Sequence, residues 1–195
     1  MSAHLSVRTG AVTRPLIIGS VVIGAFGGAI VDRAVVATPA WRQLGPAAWA
    51  AYSAHADLGN GLIVYPIYGI GLAMLTIAAA ISYRLDVGAP RPAGPPIYLA
   101  ALSAIGVIAT TIKAAPIMLG VPDLDTDTIA LQNAFDQFTF WRVYIRGALG
   151  TLALLASIWA LAAHPRTRRV DIGDRPADLN ASTHPNKGEV QGTDD

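Results

Sequence analysis

The sequence predicts an all-α fold: a bundle of four transmembrane helices with two short outer amphipathic helical segments. Three observations carry this. Four apolar stretches, 16–31, 61–83, 97–119 and 143–163, approach the ~20 residues that a helix needs to cross a bilayer core. Over 195 residues the chain is 53% hydrophobic, with a mean hydropathy of +0.45, well outside the usual soluble range. Ionisable residues also sit within or at the ends of these stretches: Lys113 and Arg146 lie inside two of them, and Asp32 and Arg33 close the first. Holding such a group in hydrocarbon costs at least ~2.5 kcal/mol, so each implies a partner, a water-filled cavity or a ligand.

In chain order, residues 1–14 read as a cytoplasmic N-terminal segment and 15–163 as the membrane domain. Span one contains Gly24 and Gly28 at the spacing that lets helices approach closely, which serves internal packing or a homodimer equally well. Its alternative is a cleaved signal, with Val35, Val36 and Ala37 as a loose small-residue cleavage site. The following connection is not structureless. Gly45 and Pro46 open a helix, and Trp49, Tyr52 or Ser53, and Ala56 recur at helical spacing. This predicts an amphipathic helix over 46–58, broken or bent at Gly59, Asn60 and Gly61 before span two.

Residues 85–96, rich in Pro and Gly, form a tight turn into span three. There Pro116 frees the carbonyl of Ile112 close to Lys113, Thr110 and Thr111. After Pro122 and a run of aspartates a second outer helix starts near Asp127. Phe135, Phe138, Trp141, Arg142 and Ile145 follow at spacings of three and four, so span four ends a longer helix. Residues 164–195 are polar and read as a disordered cytoplasmic tail.

Charge sets the expected orientation. Arg8, Arg14, Arg84, Arg91, Arg166, Arg168 and Arg169 fall on one side of a four-span chain, which is then cytoplasmic. Asp57, Asp123, Asp125 and Asp127 fall on the other. The expectation is a multi-pass protein of the cell membrane with both termini inside and the lipid bilayer as its main partner. No basic patch interleaved with aromatics is present, so nucleic acid is not an expected partner. With no cysteine, disulfides, thiol catalysis and Cys-ligated metal are excluded. Glu189 is the sole glutamate, which removes a di-iron carboxylate bundle. No metal site and no cofactor is expected.

The chemistry concentrates at the outer end. Arg142 and Arg146, four apart, share a helix face and repel, so each needs an acidic partner or an anionic ligand. Asp32 and Asp136 are the available carboxylates, and an Asp32–Arg146 structural ion pair is preferred. The remaining cations, with Arg33, Lys113, Arg142 and Arg146 as substrate-binding candidates beside Trp49 and Trp141, suit a small lipophilic anion: a carboxylate, phenolate or enolate. His55 is a candidate general base, with Tyr52 as its neighbour or alternative; the bland reading of His55 is a solvated residue on an outer helix. Lys113 has a similar alternative, snorkelling to the headgroups.

The chain also resembles a known family. A Gly-rich first helix leads to Pro39-Ala40-Trp41-Arg42 and a helix carrying Trp49; the third span ends in Lys113-Ala114-Ala115-Pro116, and the last is entered through Phe138, Trp141 and Arg146. In this it is similar to the small DUF1772, or anthrone-oxygenase-like, membrane family, over most of residues 15–163. That family carries His or Asn before the last arginine, where Tyr144 stands here. The resemblance implies a cofactor-independent oxygenase-like enzyme acting on a lipophilic phenolic, anthrone-type substrate. The alternative is a non-enzymatic membrane accessory or lipophilic-anion-binding protein whose buried charges are structural ion pairs.

Overall fold

The computed structural model describes residues 2–124 and 127–164, with side chains from residue 12 onward except residue 29. The expectations for Asp125, for Arg166, Arg168 and Arg169, and for the tail beyond His164 lie outside the described residues. Every described element is helical. Helices α1 (Ser2–Ala25), α2 (Gly28–Asp32), α3 (Thr38–Leu44), α4 (Pro46–His55), α5 (Gly61–Leu85), α6 (Gly94–Leu119), α7 (Thr128–Phe138) and α8 (Arg146–Ala163) are joined by short 3₁₀ and π-helical segments.

The long helices form the bundle. α1 packs on α5 and α8, and α6 packs on the same two, so the order around the bundle is α1, α5, α6, α8. Four largely helical stretches, Val12–Leu44, Pro46–Leu85, Arg91–Leu124 and Thr128–Ala163, are long and apolar enough to cross a membrane. The distribution of side-chain size fits a multi-pass membrane protein. The middle and one end of the bundle are filled by small residues, among them Ala79, Ala104, Ala153, Ala156 and Ala160, whereas Ile63, Ile67, Met74, Leu102 and Leu155 face outward. Water would drive the large side chains inward. Lipid tails impose no such force, and small residues at the contacts let the helix backbones approach. Gly24 illustrates this: a Cβ there would stand 3.1 Å from Leu154 Cδ1 on α8.

Two expectations change. The two short outer amphipathic segments are not short helices of their own but the outer parts of longer stretches, as the spacing already implied for span four. α4 continues into α5 through the π-helical turn Ala56–Asn60, and α7 continues into α8 through Thr139–Ile145. Through Thr139–Ile145 the chain is redirected without a break, since a π turn keeps the backbone hydrogen-bonded while absorbing an extra residue, whereas the α4–α5 junction is kinked. Only Gly59, at φ −87° and ψ −118°, leaves helical geometry inside the first of these turns. Span one, in contrast, is interrupted by a turn at Phe26 and Gly27. Gly28 therefore has nothing within 4 Å of a would-be Cβ, and the Gly24–Gly28 pair is not one packing stripe.

At the charged end, α3, α4 and α7 close over α6. Trp49 is fully buried against Phe135 and Phe138, at ring-centroid distances of 5.3 and 5.6 Å. Trp41, Met118 and Leu131 complete this aromatic cap. At the opposite end the Arg14 guanidinium donates to the carbonyl of His164, the residue just after α8, at 3.2 Å.

Candidate functional site

Three of the helical stretches carry a π-helical segment near the charged end, and each delivers one member of a buried ionic cluster. Arg33 begins the segment Arg33–Ala37, Asp57 lies in Ala56–Asn60, and Arg142 lies in Thr139–Ile145. Such widened turns rotate side chains away from regular α register and recur at functional sites. Here the three charged groups from these segments meet at one point. Arg33 forks onto the carboxylate, Nη1 to Oδ1 at 2.7 Å and Nη2 to Oδ2 at 3.0 Å. Arg142 Nη1 donates to the same Oδ1 at 2.7 Å. Asp57 is only 3% exposed, so this triad is sealed from bulk water.

Aromatic rings wrap the cations. The Arg142 guanidinium carbon lies 4.0 Å from the Tyr65 ring centroid and 5.0 Å from that of Phe138. Arg33 lies over Trp41, Tyr52 and Tyr65 at 5.3, 5.7 and 5.9 Å, and also donates to the Tyr65 hydroxyl at 3.1 Å. Ring quadrupoles offset part of the charge that a single carboxylate leaves over.

Arg146 stands apart. It is 4% exposed, makes no ion pair among the described residues, and its Nε has no hydrogen-bond partner there. The nearby Tyr68 hydroxyl is likewise buried and unpartnered. Arg146, Arg142 and Tyr65 form the wall between two cavities. One, of about 120 Å³, lies between α5 and α6 and is almost wholly apolar. The other, of about 230 Å³, lies between the first helical stretch, α5 and the turn into α8, and is more polar; Asp32, Arg33, Tyr52 and Tyr68 also border it.

The residues singled out from the sequence divide accordingly. Arg33, Arg142, Arg146 and Tyr52 meet at this site. Asp32 borders the larger cavity but is exposed and makes no ion pair among the described residues; Asp57 takes the role expected of it, although with Arg33 and Arg142 and not with Arg146. The reason is helical phase: Asp32 and Arg33 are neighbours, so when Arg33 turns inward Asp32 turns to the surface. Asp136 is also exposed, accepting from Gln132 Nε2 at 3.1 Å.

Lys113 is exposed and borders neither cavity, because Thr110, Ala114 and Met118 occupy the inward face of α6. His55 is exposed, its Nδ1 3.0 Å from the carbonyl of Ala51, and it too borders neither cavity. Trp49 packs in the cap, and Trp141 stacks edge-on with Phe140 at 5.3 Å; neither borders a cavity.

Sequence reasoning missed Asp57, Tyr65 and Tyr68. A signal was present: Trp49, Ser53 and Asp57 are spaced by four, and all three are buried. Following that face one turn beyond Ser53 puts a carboxylate inside the bundle. No family model, no curated protein and no solved structure matches this chain.

Proposed function

We propose that this chain is an integral membrane protein that binds a small lipophilic organic anion at Arg146. One observation carries the reading: a buried guanidinium with no carboxylate partner among the described residues borders two cavities. An unpaired buried charge is strongly unfavourable, and an anion entering either cavity relieves it. The Arg33–Asp57–Arg142 cluster is then the structural part of the site, holding three helical stretches around the ligand. Arginines at the far end, such as Arg84 and Arg91, support an orientation with both termini in the cytoplasm.

The test is native mass spectrometry of the gently extracted protein with parallel analysis of its organic extract. The wild type is expected to carry a lipophilic anion that Arg146→Gln does not. Equal occupancy of the two, or an empty wild type, counts against the reading.

The same cavity supports a second reading, the oxygenase-like enzyme, through one further observation: Tyr52 borders it beside Arg33. A phenolic anthrone that gives up a proton from its ring CH₂ becomes an enolate, which the guanidinium groups would stabilise. Reaction with one O₂ converts that CH₂ to C=O and releases one water. In this reading Tyr52, half exposed at the edge of the larger cavity, is the base; His55 borders neither cavity. Oxygen consumption with an anthrone substrate, abolished in Tyr52→Phe and retained in His55→Ala, is the expected pattern.

A further inference from the structure

We infer that the anion is a single-chain lipid carboxylate drawn from the bilayer, its chain lying in the apolar cavity between α5 and α6 and its carboxylate on Arg146. This rests on the anion-binding reading above and specifies its ligand.

Charge comes first. Among the described residues the two cavities are bordered by three arginines, Arg33, Arg142 and Arg146, and two aspartates, Asp32 and Asp57. One positive charge is left over. A carboxylate neutralises it, whereas a dianionic phosphate would leave a net negative charge in a low-dielectric site that already holds Asp57. The wall of the smaller cavity comes second. Its charged members Asp57 and Arg142 are already bonded to each other. Its Thr111 hydroxyl donates to the carbonyl of Val107 at 2.8 Å. The Tyr65 hydroxyl accepts from Arg33. Away from Arg146 the lining therefore offers a ligand mainly apolar contact, through Leu58, Leu62, Ala114, Ala115, Met118 and Leu119.

The mouth comes third. Leu62 and Leu119 are more than half exposed on the surface that the bundle turns to lipid, so the cavity is bordered by side chains that acyl chains touch. At about 120 Å³ it is a narrow slot suited to part of one chain rather than to two. An unpaired cation at the inner end of an apolar slot, with lipid at its mouth, matches an amphiphile with one tail and one negative charge.

A photoactivatable palmitate analogue with a diazirine on its chain, added to the full-length protein in lipid vesicles, tests this. Expected are cross-links on the α5 and α6 peptides containing Leu62, Met118 and Leu119, displaced by unlabelled palmitate but not by hexadecanol. Labelling falls at least tenfold in Arg146→Gln. It also falls in Leu119→Trp, which narrows the mouth without touching Arg146 and decides the matter if the arginine variant does not fold.

Displacement by hexadecanol as effective as by palmitate, stronger displacement by lysophosphatidate, or labelling spread over the lipid-facing surface overturns the inference. If the wild type retains an Arg146-dependent ring-shaped anion that palmitate does not displace, the fatty-acid assignment falls and the anion-binding reading stands. If Arg146→Gln alters neither palmitate labelling nor native occupancy, both fall.

Discussion

Asp57 and Arg146 are both buried and ionisable, yet their substitutions should have opposite signs. Among the described residues, Asp57 is the only carboxylate bonded to Arg33 and Arg142. Asp57→Asn leaves both guanidinium groups buried without a counter-charge, and breaking such a cluster costs about 3–5 kcal/mol. The melting temperature in detergent should fall by roughly 10 °C, at the usual ~2–4 °C per kcal/mol for a chain of this size. Asp32→Asn, at an exposed position with no ion pair, should leave it unchanged. Arg146→Gln removes a buried cation that has no ion-pair partner among the described residues, so the ligand-free protein should melt at the same or a higher temperature. A large loss of stability in ligand-free Arg146→Gln would mean that this arginine is structural.

At the level of elements, close backbone approach holds the long helices together. A Cβ at Gly24 meets Leu154 Cδ1 at 3.1 Å and its Cα at 3.6 Å, so a larger residue pushes α1 away from α8. Gly24→Val is expected to destabilise by ~1–3 kcal/mol, the usual range for overpacking. Gly28→Ala, in open space beyond the turn, should be neutral. Thermal unfolding of the two variants in detergent separates a packing position from a spacer. Much of this level was legible beforehand. The four apolar stretches and the helical entries at Pro46 and near Asp127 follow from hydropathy and spacing, and Asp127 does accept from the amides of Ile129 and Ala130 at 3.0 Å each. The π turns were not legible, because a widened turn needs no distinctive residue and leaves local composition unchanged.

For the whole molecule, the large-outside, small-inside arrangement predicts how it meets lipid. Trp159 is 56% exposed on α8, whereas Trp49 is fully buried in the aromatic cap. In single-tryptophan variants reconstituted with brominated acyl chains, Trp159 should be strongly quenched and Trp49 weakly; the reverse would contradict a membrane-embedded bundle. The absence of cysteine makes orientation testable in an otherwise thiol-free chain. Val87→Cys, in the exposed turn between α5 and α6, should react with an impermeant maleimide only after the cells are opened. Labelling of intact cells would reverse the proposed orientation.

Composition and periodicity by themselves determined that this chain is helical and apolar enough to cross a bilayer four times, and that its unusual charges gather at one end. Both are properties of one segment at a time: a helix needs only its own residues to satisfy its backbone, and hydropathy is additive along the chain. Which carboxylate meets which arginine was decided only by the tertiary structure. Asp57 is 24 residues from Arg33 and 85 from Arg142, and they meet because the packing of three helical stretches turns all three inward at one level. The same packing leaves Arg146 unpaired between two cavities and turns Asp32, Lys113 and His55 outward. Pairing depends on the relative rotation of separate helices, and no single segment encodes that.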